Sequence, residues 1–347
     1  MKNNTDFIYL LRFIAALLVV LKHYSPIRNV FINNGGEAVS FFFLLSGFIL
    51  VVAYEKQIVQ KTLSAPLFYV KRIARVYPLY LFALLLALGF HFFVKNSNTH
   101  VPLKLSFELF MLQTWVFPGA INYPDWSVSC EFFFYLLFPV YILKLKEITL
   151  SKSILLAFFF LISALGFSYL LENYTHPALR PDLKEGYLMY HPILRFPVFF
   201  WGNVLGLMYL KNIKITTLQN VMLLLLGCSC IYLWTLKPVE MGLSFKQLGF
   251  VFIYTALIVV LLQNETFSIT YLSNPLFHLL GDISYGVYLL QYPVSSFVLL
   301  FVPNFETMPY FLFYILVLLV LSYLTFQYLE KPLRSKIVAL YCNYYVK

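Results

Sequence analysis

Apolar stretches of about 20 residues recur along the whole chain and are separated by short polar segments that hold most of the charges. A helix of that length crosses the hydrocarbon core of a bilayer. The pattern therefore predicts about ten membrane-spanning helices, at residues 7–24, 38–55, 77–94, 127–143, 152–171, 193–210, 219–236, 246–262, 280–302 and 309–329. The amphipathic stretch 105–115 is predicted to lie at the membrane interface or to re-enter the membrane.

The composition indicates an integral membrane protein. Of the 347 residues, 61% are hydrophobic and only 12% are charged, whereas soluble domains have about 25% charged residues. Since a helix satisfies its own backbone hydrogen bonds in lipid, the predicted fold class is all-α and polytopic. No internal repeat or linker is visible, so we predict one domain over residues 1–347. The four cysteines lack the spacing of a disulfide scaffold or a zinc site, and no metal is predicted.

The net charge of +10 is distributed unevenly between the loops. With the N-terminus inside, the inner segments hold about twice as many Lys and Arg residues as the outer ones, which is the positive-inside pattern. It predicts both termini in the cytoplasm, in the inner (cytoplasmic) membrane, and explains the basic excess without a nucleic-acid partner. The densest cluster, Lys71, Arg72 and Arg75, exceeds what topology requires and is predicted to hold an anion such as a phosphate.

Two ionisable residues lie in the first apolar stretch. Arg12 and His23 are eleven residues apart, which places them on one helix face and about 16 Å apart along the axis. In one interpretation the Arg12 side chain extends to the inner membrane interface and the His23 side chain to the outer one, and neither has a further role. In the other they are functional, because ionisable groups at membrane depth are costly to insert.

Glu131 is predicted near the outer end of the fourth spanning helix, with Tyr135 one turn later on the same face. Its carboxylate either stabilises the helix dipole or orients His23, which is predicted at a similar depth, as a general base. Both interpretations agree with the sequence.

Three further polar positions are more simply structural. Ser46 and Gly47 fall near mid-membrane, where close helix packing is the simplest role. Asp282 is predicted to cap the N-terminus of the ninth helix. Glu330 and Arg334 form an i, i+4 pair at the inner interface. Gln291, deep in the ninth helix, requires a hydrogen-bond partner.

Taken in order, these motifs resemble the integral-membrane acyltransferase 3 family over nearly the whole chain. The matching residues are Arg12 and His23 in the first helix; Phe43, Ser46, Gly47 and Phe48 in the second; Arg72, Arg75 and Pro78 before the third; Trp126, Ser127, Glu131, Phe134 and Tyr135 in the fourth; Ser284, Tyr285, Tyr288 and Leu289 in a late helix; and Glu330 to Arg334 at the end. One departure is Gln291, where many members have a histidine, and a neutral amide cannot serve as a base.

The resemblance implies transfer of an acyl group, usually acetyl from acetyl-CoA, to a hydroxyl of a polysaccharide or a lipid-linked sugar at the membrane. In that mechanism Arg72, Arg75 and Lys71 grip the CoA phosphates, and Arg12 meets the acyl-pantetheine arm. His23 and Glu131 are the catalytic residues; Ser46, Gly47, Trp126, Ser127, Tyr135, Tyr288 and Gln291 support the site. His23 either deprotonates the acceptor or briefly carries the acyl group.

Other function classes remain open at this stage. A transporter or flippase for a lipid-linked saccharide shares the membrane fold and buried charges, but it requires no CoA site. A scaffolding membrane protein leaves Arg12, His23 and Glu131 without a role. Members with a fused extracytoplasmic hydrolase domain are longer, and none is expected here. The segments 95–126 and 173–192 are predicted to face outward and to shape the choice of acceptor.

Overall fold

The computed structural model describes residues 6–93, 101–117, 119–174, 181–236, 238–264 and 274–345. Within these ranges the chain is helical and contains no strand, which confirms the predicted fold class. The helices, in chain order, are α1 (Phe7–Tyr24), α2 (Val30–Asn33), α3 (Ala38–Ala53), α4 (Glu55–Val59), α5 (Ala65–Phe93), α6 (Val101–Leu109), α7 (Gln113–Val116), α8 (Asp125–Glu147), α9 (Leu150–Tyr174), α10 (Pro181–Tyr190), α11 (Pro192–Leu210), α12 (Thr217–Leu236), α13 (Pro238–Gln263), α14 (Pro275–Val298), α15 (Met308–Thr325) and α16 (Lys331–Tyr345).

The described residues contain nine helical spans that are long and apolar enough to cross a membrane. They coincide with nine of the ten predicted spans. The tenth is α14, which is also long but less apolar because it carries polar residues such as Asp282 and Gln291. Residues 1–5 and 346–347 lie outside the described ranges, so the cytoplasmic location of both termini stays a prediction.

Three predicted helix starts are wrong, and one of them is that of the eighth spanning helix, α13, which begins at Pro238 rather than at residue 246. The third spanning helix begins at Ala65 rather than at residue 77, and Pro78 lies inside it. A proline inside a helix removes one backbone hydrogen bond, which α5 tolerates. The ninth begins at Pro275, where the Asn274 side chain accepts a hydrogen bond from the Leu276 amide at 2.9 Å. Asp282 is therefore not the N-cap; it lies two turns inside α14.

The amphipathic stretch 105–115 folds as parts of two short helices, α6 and α7, joined by a tight turn. Glu108 is buried, and its carboxylate accepts a hydrogen bond from the Ile121 amide. Burial raises the pKa of this carboxyl to about 8. The stretch thus packs against the protein on the side from which α8 starts, rather than crossing the membrane.

Large apolar side chains cover the outside of the helix bundle. On α12, for example, only Asn220, Gly227 and Cys230 are buried. A soluble protein rarely exposes so large an apolar surface. In a membrane these side chains face the lipid tails, and the helices satisfy their own backbone hydrogen bonds. The interior is filled by aliphatic side chains together with many aromatic rings, among them the stacked pair Phe134 and Phe199, whose centroids are 5.0 Å apart.

Candidate active site

A cavity of about 520 Å³ lies between α1, α3, α5, α8 and α14. Its volume falls within the range of about 300–1,000 Å³ that is typical of small-ligand pockets. Apolar side chains form much of its wall. The charged residues that line it are Arg12, Arg72, Arg75, Arg334, Asp282 and Glu131.

The four arginines in this cavity outnumber the two carboxylates, Asp282 and Glu131, that line it with them. Among the described residues, none of the four forms a salt bridge with a carboxylate. Arg75 lies near both Arg12 and Arg334. Clustered cations in a partly enclosed space are unfavourable unless a counter-charge enters. The cavity is therefore suited to an anionic ligand. The part lined by Arg72, Arg75 and Arg334 is called the basic end below.

Arg72 is held in place by aromatic rings. Its guanidinium carbon lies 5.4 Å from the Tyr54 ring centroid, 5.7 Å from that of Phe68 and 5.9 Å from that of Tyr135. It also donates a hydrogen bond to the Tyr54 hydroxyl at 3.3 Å. Such stacking fixes a planar guanidinium while leaving N–H groups free for a phosphate. Lys71, predicted to join this grip, does not line the cavity, because its neighbouring position points about 100° away around the helix.

Glu131 forms a hydrogen-bonded group with two hydroxyls inside the cavity. Ser46 Oγ donates to Glu131 Oε1 at 2.9 Å, and the Tyr135 hydroxyl donates to the same oxygen. Tyr135 also touches Arg72, so the group connects to the basic end. The i, i+4 spacing of Glu131 and Tyr135 along the helix was sufficient to predict that these two residues lie together. The hydrogen bond from Ser46 on α3 to Glu131 was not predicted.

Ser46 is positioned by an unusually close contact between α3 and α11. A Cβ atom on Gly47 would lie 2.1 Å from the Phe199 carbonyl oxygen, so no larger residue fits there. Asn203 donates to the Gly47 carbonyl at 2.8 Å and accepts a hydrogen bond from the Tyr141 hydroxyl. The predicted packing role of Gly47 agrees with this geometry, and it fixes the backbone next to Ser46.

His23 lies in the last turn of α1, outside the cavity. Its side chain is exposed, and its ring packs edge-on against Tyr123 with 5.6 Å between centroids. Arg28 folds back and donates to the Lys22 carbonyl at 2.7 Å, which places positive charge beside the imidazole. In the part of the chain that the structure covers, no carboxylate pairs with His23.

The expected contact between Glu131 and His23 is therefore not present. Glu131 lies about 9 Å along α8 from the start of that helix, whereas His23 is one residue from the end of α1. Glu131 instead pairs with Ser46 and Tyr135, and His23 packs against Tyr123, which precedes α8. The catalytic assignment of each residue stays a prediction.

Tyr288 and Ser127 line the cavity on the side from which contacts lead to His23. The Tyr288 hydroxyl donates to Ser127 Oγ at 2.8 Å, and both residues line the cavity. Ser127 also donates to the carbonyl of Pro124, the residue next to Tyr123. This contact, called the Tyr288–Ser127 bridge below, separates the arginines from His23.

Two other predicted supporting residues lie behind this wall and not in it. The Trp126 ring packs against Tyr190, with 4.8 Å between centroids. Gln291 is buried, and its amide nitrogen donates to the Tyr288 carbonyl at 2.6 Å. Because Gln291 does not line the cavity, a histidine at this position would face away from the arginines as well.

Sequence reasoning missed two charged residues of the cavity. Arg334 was interpreted as the partner of Glu330 and Asp282 as a helix cap, but both line the cavity. For Asp282 a signal existed, since an ionisable residue within a spanning helix is a functional candidate by default. For Arg334 no such sequence signal existed, because the side of α16 on which its side chain lies depends on the π-helical turn Phe326–Glu330 that precedes this helix.

Several known proteins are similar in sequence to this chain. The protein named Acyltransferase MdmB from Streptomyces mycarofaciens is 37% identical over 127 residues, which is 34% of this chain and only 31% of that relative. A protein named Putative acetyltransferase ORF330 from Acidianus two-tailed virus is 25% identical over 301 residues, covering 83% of this chain and 82% of the relative. No solved structure gives a significant match.

The family assignment rests on a longer match. A family model described as an acyltransferase domain matches residues 5–327. That range includes the cavity arginines other than Arg334, the Glu131 group and His23. The chain belongs to this membrane acyltransferase family.

Proposed function

We propose that this protein is an O-acyltransferase that moves an acetyl group from acetyl-CoA to a hydroxyl of a surface polysaccharide or a lipid-linked sugar. The observation that carries the proposal is the set of four cavity arginines without ion-pair partners among the described residues. The pyrophosphate and 3′-phosphate of CoA supply the anionic groups that such a cluster binds.

The shape of the cavity supports a CoA donor over a free phosphate. Its basic end is partly exposed, since Arg334 is exposed and Arg72 is half-buried. Beyond it the wall becomes largely apolar as far as Ser46 and Glu131. A nucleotide at the basic end would send its acyl-pantetheine arm inward, because that arm is thin and mostly uncharged.

The proposed topology gives each substrate its own side. The charge pattern of the loops assigns the basic end to the cytoplasm, where acetyl-CoA is made. His23 then faces the outer side, where it would deprotonate the acceptor hydroxyl. Acetyl donor and sugar acceptor approach from opposite faces of the inner membrane, and neither has to cross it. A transporter would instead require a path for the whole saccharide.

The first experiment follows acetyl label from donor to acceptor. Membranes from a host that lacks the protein are supplied with wild type or with Arg334→Ala and given acetyl-labelled acetyl-CoA. We expect alkali-labile label in glycan or lipid-linked sugar with wild type. A charged hydrogen bond is worth about 1.5–3 kcal/mol, so Arg334→Ala should bind acetyl-CoA about tenfold to a hundredfold less tightly.

The matched control is Lys336→Ala, which removes another exposed cation from α16 that does not line the cavity. It should leave acetyl-CoA binding unchanged. If purified wild-type protein binds no acetyl-CoA and membranes move unlabelled saccharide across the bilayer, the protein is a transporter and the proposal fails. If Arg334→Ala and Lys336→Ala weakened acetyl-CoA binding equally, binding would depend only on the net charge of the protein.

A further inference from the structure

The Ser46–Glu131–Tyr135 group has the geometry of an activated nucleophile. A hydroxyl lies within hydrogen-bond distance of a base, at 2.9 Å from Glu131 Oε1. A third group, the Tyr135 hydroxyl, orients that base. This arrangement of nucleophile, base and orienting residue recurs in enzymes that form covalent intermediates. We propose that Ser46 is a catalytic nucleophile that carries the acyl group between donor and acceptor.

The position of Ser46 agrees with this role. Its side chain is half-buried and lines the same cavity as Arg12 and the basic end. The hydrogen bond from Asn203 to the neighbouring Gly47 carbonyl holds its backbone. A nucleophile must be fixed in this way to attack at a useful rate, because a loose approach forfeits the advantage of proximity.

A covalent carrier also accounts for the separation between donor site and His23. His23 does not line the cavity, and the hydrogen-bonded Tyr288–Ser127 bridge lies between it and the cavity arginines. In this conformation a thioester in the cavity and a hydroxyl at His23 do not meet. An acyl group on Ser46 stays in the cavity after CoA has left, and it can wait there until the bridge opens to the acceptor.

The first step forms an ester on Ser46. Ser46 Oγ attacks the thioester carbonyl of the acyl-CoA, the carbon–sulfur bond breaks, and the serine proton moves to Glu131. CoA leaves as a thiolate beside Arg12 and takes a proton from cytoplasmic water. The inference rests on the proposed acyl-CoA donor, which supplies the acyl group and the leaving thiolate.

The second step returns the enzyme to its starting state. Once the Tyr288–Ser127 bridge has opened and the acceptor hydroxyl lies between His23 and Ser46, this hydroxyl attacks the Ser46 ester and its proton moves to His23. The bond from the acyl carbon to Ser46 Oγ breaks, and Glu131 returns the proton it held to that oxygen. His23 then releases its proton to the outer solution, so that atoms and charges balance over the cycle.

The test uses the purified full-length protein with labelled acetyl-CoA and no acceptor. After a short reaction and an acid quench, digestion and mass spectrometry locate any acetyl group. We expect one acetyl ester on the peptide that contains Ser46, together with release of one equivalent of CoA. His23→Ala should form the same ester, because His23 acts only in the second step.

Three variants keep the test decisive. Ser46→Ala should lose the ester while still binding acetyl-CoA, which also reports that it is folded. Ser46→Cys should give a thioester at the same position, which neutral hydroxylamine cleaves. Ser40→Ala is the matched control, since Ser40 lies on the same helix but outside the cavity, and it should label like wild type.

The outcomes separate this inference from the proposed function. Membranes that acetylate an acceptor without any ester on Ser46, or with normal activity in Ser46→Ala, would overturn the nucleophile and leave the acyltransferase proposal intact. An acetyl group on His23 in place of Ser46 would also overturn it. Absence of acetyl-CoA binding would instead refute the proposed function itself.

Discussion

The two ends of the candidate site differ in how far their polar groups are already arranged. Within the cavity, Arg72 at the basic end is stacked among three rings, and Glu131 farther in accepts hydrogen bonds from two hydroxyls. At the other end, His23 is exposed and has only aromatic neighbours and nearby cations. The proposed donor side is therefore preorganised, whereas on the proposed acceptor side no carboxylate among the described residues pairs with His23 to orient it as a base. We expect the bound acceptor to supply the hydrogen-bond partner that His23 lacks in this structure.

The largest expected effect comes from His23→Ala. General-base catalysis contributes about 10²–10⁴ in rate, so acetyl transfer to the acceptor should fall by that factor. Acetyl-CoA binding should stay unchanged, because His23 lies outside the cavity. Transfer assays and equilibrium binding with labelled acetyl-CoA measure the two quantities. His278→Ala, which removes a histidine that pairs with Asp6 at 3.6 Å, is the control. If His23→Ala weakened acetyl-CoA binding and His278→Ala did not, the two ends of the site would not act separately.

At the basic end, Arg72→Lys tests preorganisation against charge. Lysine keeps the positive charge but cannot stack as a planar group among Tyr54, Phe68 and Tyr135. We expect about tenfold weaker acetyl-CoA binding, in line with a loss of about 1–2 kcal/mol from stacking and a fixed hydrogen bond. The rate at saturating donor should change little. Unchanged affinity in this variant would show that charge alone binds the donor.

The bridge between the two ends is tested by Tyr288→Phe. A hydrogen bond contributes about 1 kcal/mol net, so its loss favours opening of the Tyr288–Ser127 bridge by about fivefold. Turnover should rise by up to that factor if opening limits the second step, with donor binding unaffected. Steady-state rates at saturating acetyl-CoA measure this. A large loss of turnover would instead place the Tyr288 hydroxyl in the chemistry.

The smallest expected effect on acyl transfer concerns Glu108 on α6, whose removal should change stability rather than catalysis. Its folded-state pKa of about 8 lies above the ordinary value of 4.5, so the folded state binds more protons than the unfolded state between these two pH values. The free energy of unfolding should therefore fall as pH rises through this window. Glu108→Gln, which stays neutral, should lose less thermal stability than wild type between pH 6 and pH 9.

Thermal unfolding in detergent at both pH values checks this prediction. The control is Glu147→Gln, because Glu147 is exposed and pairs with Lys61 at the surface. Its loss should change stability little at either pH, because an exposed ion pair is screened by solvent. Equal pH dependence in wild type and Glu108→Gln would mean that Glu108 is charged in the folded protein.

Hydrophobic pattern predicted most of the fold, because each spanning helix satisfies its own backbone and its length is set by the bilayer. The errors at α5 and α14 have one cause. A proline inside a helix and a charged residue within an apolar one are both signals of helix ends in soluble proteins, but Pro78 lies inside α5 and Asp282 inside α14.

The site was predictable as a set of residues but not as a set of contacts. Spacing along a helix gave Arg12, His23 and the Glu131–Tyr135 pair, since i, i+4 geometry is local. Contacts between helices depend on rotation and depth, which no single segment encodes. That is why Ser46 was assigned to packing, Glu131 was assigned to His23, and Arg334 was left at the surface.

The π-helical turn Phe326–Glu330 makes the direction of α16 depend on a single residue. A π turn contains one residue more than the corresponding α turn, and one residue corresponds to about 100° of rotation. Deleting any residue of this turn would leave the length and hydropathy of the last helix almost unchanged but would swing Arg334 away from the cavity. Among homologous chains, a one-residue gap at this position would therefore mark a change in donor recognition that substitution patterns alone would not reveal.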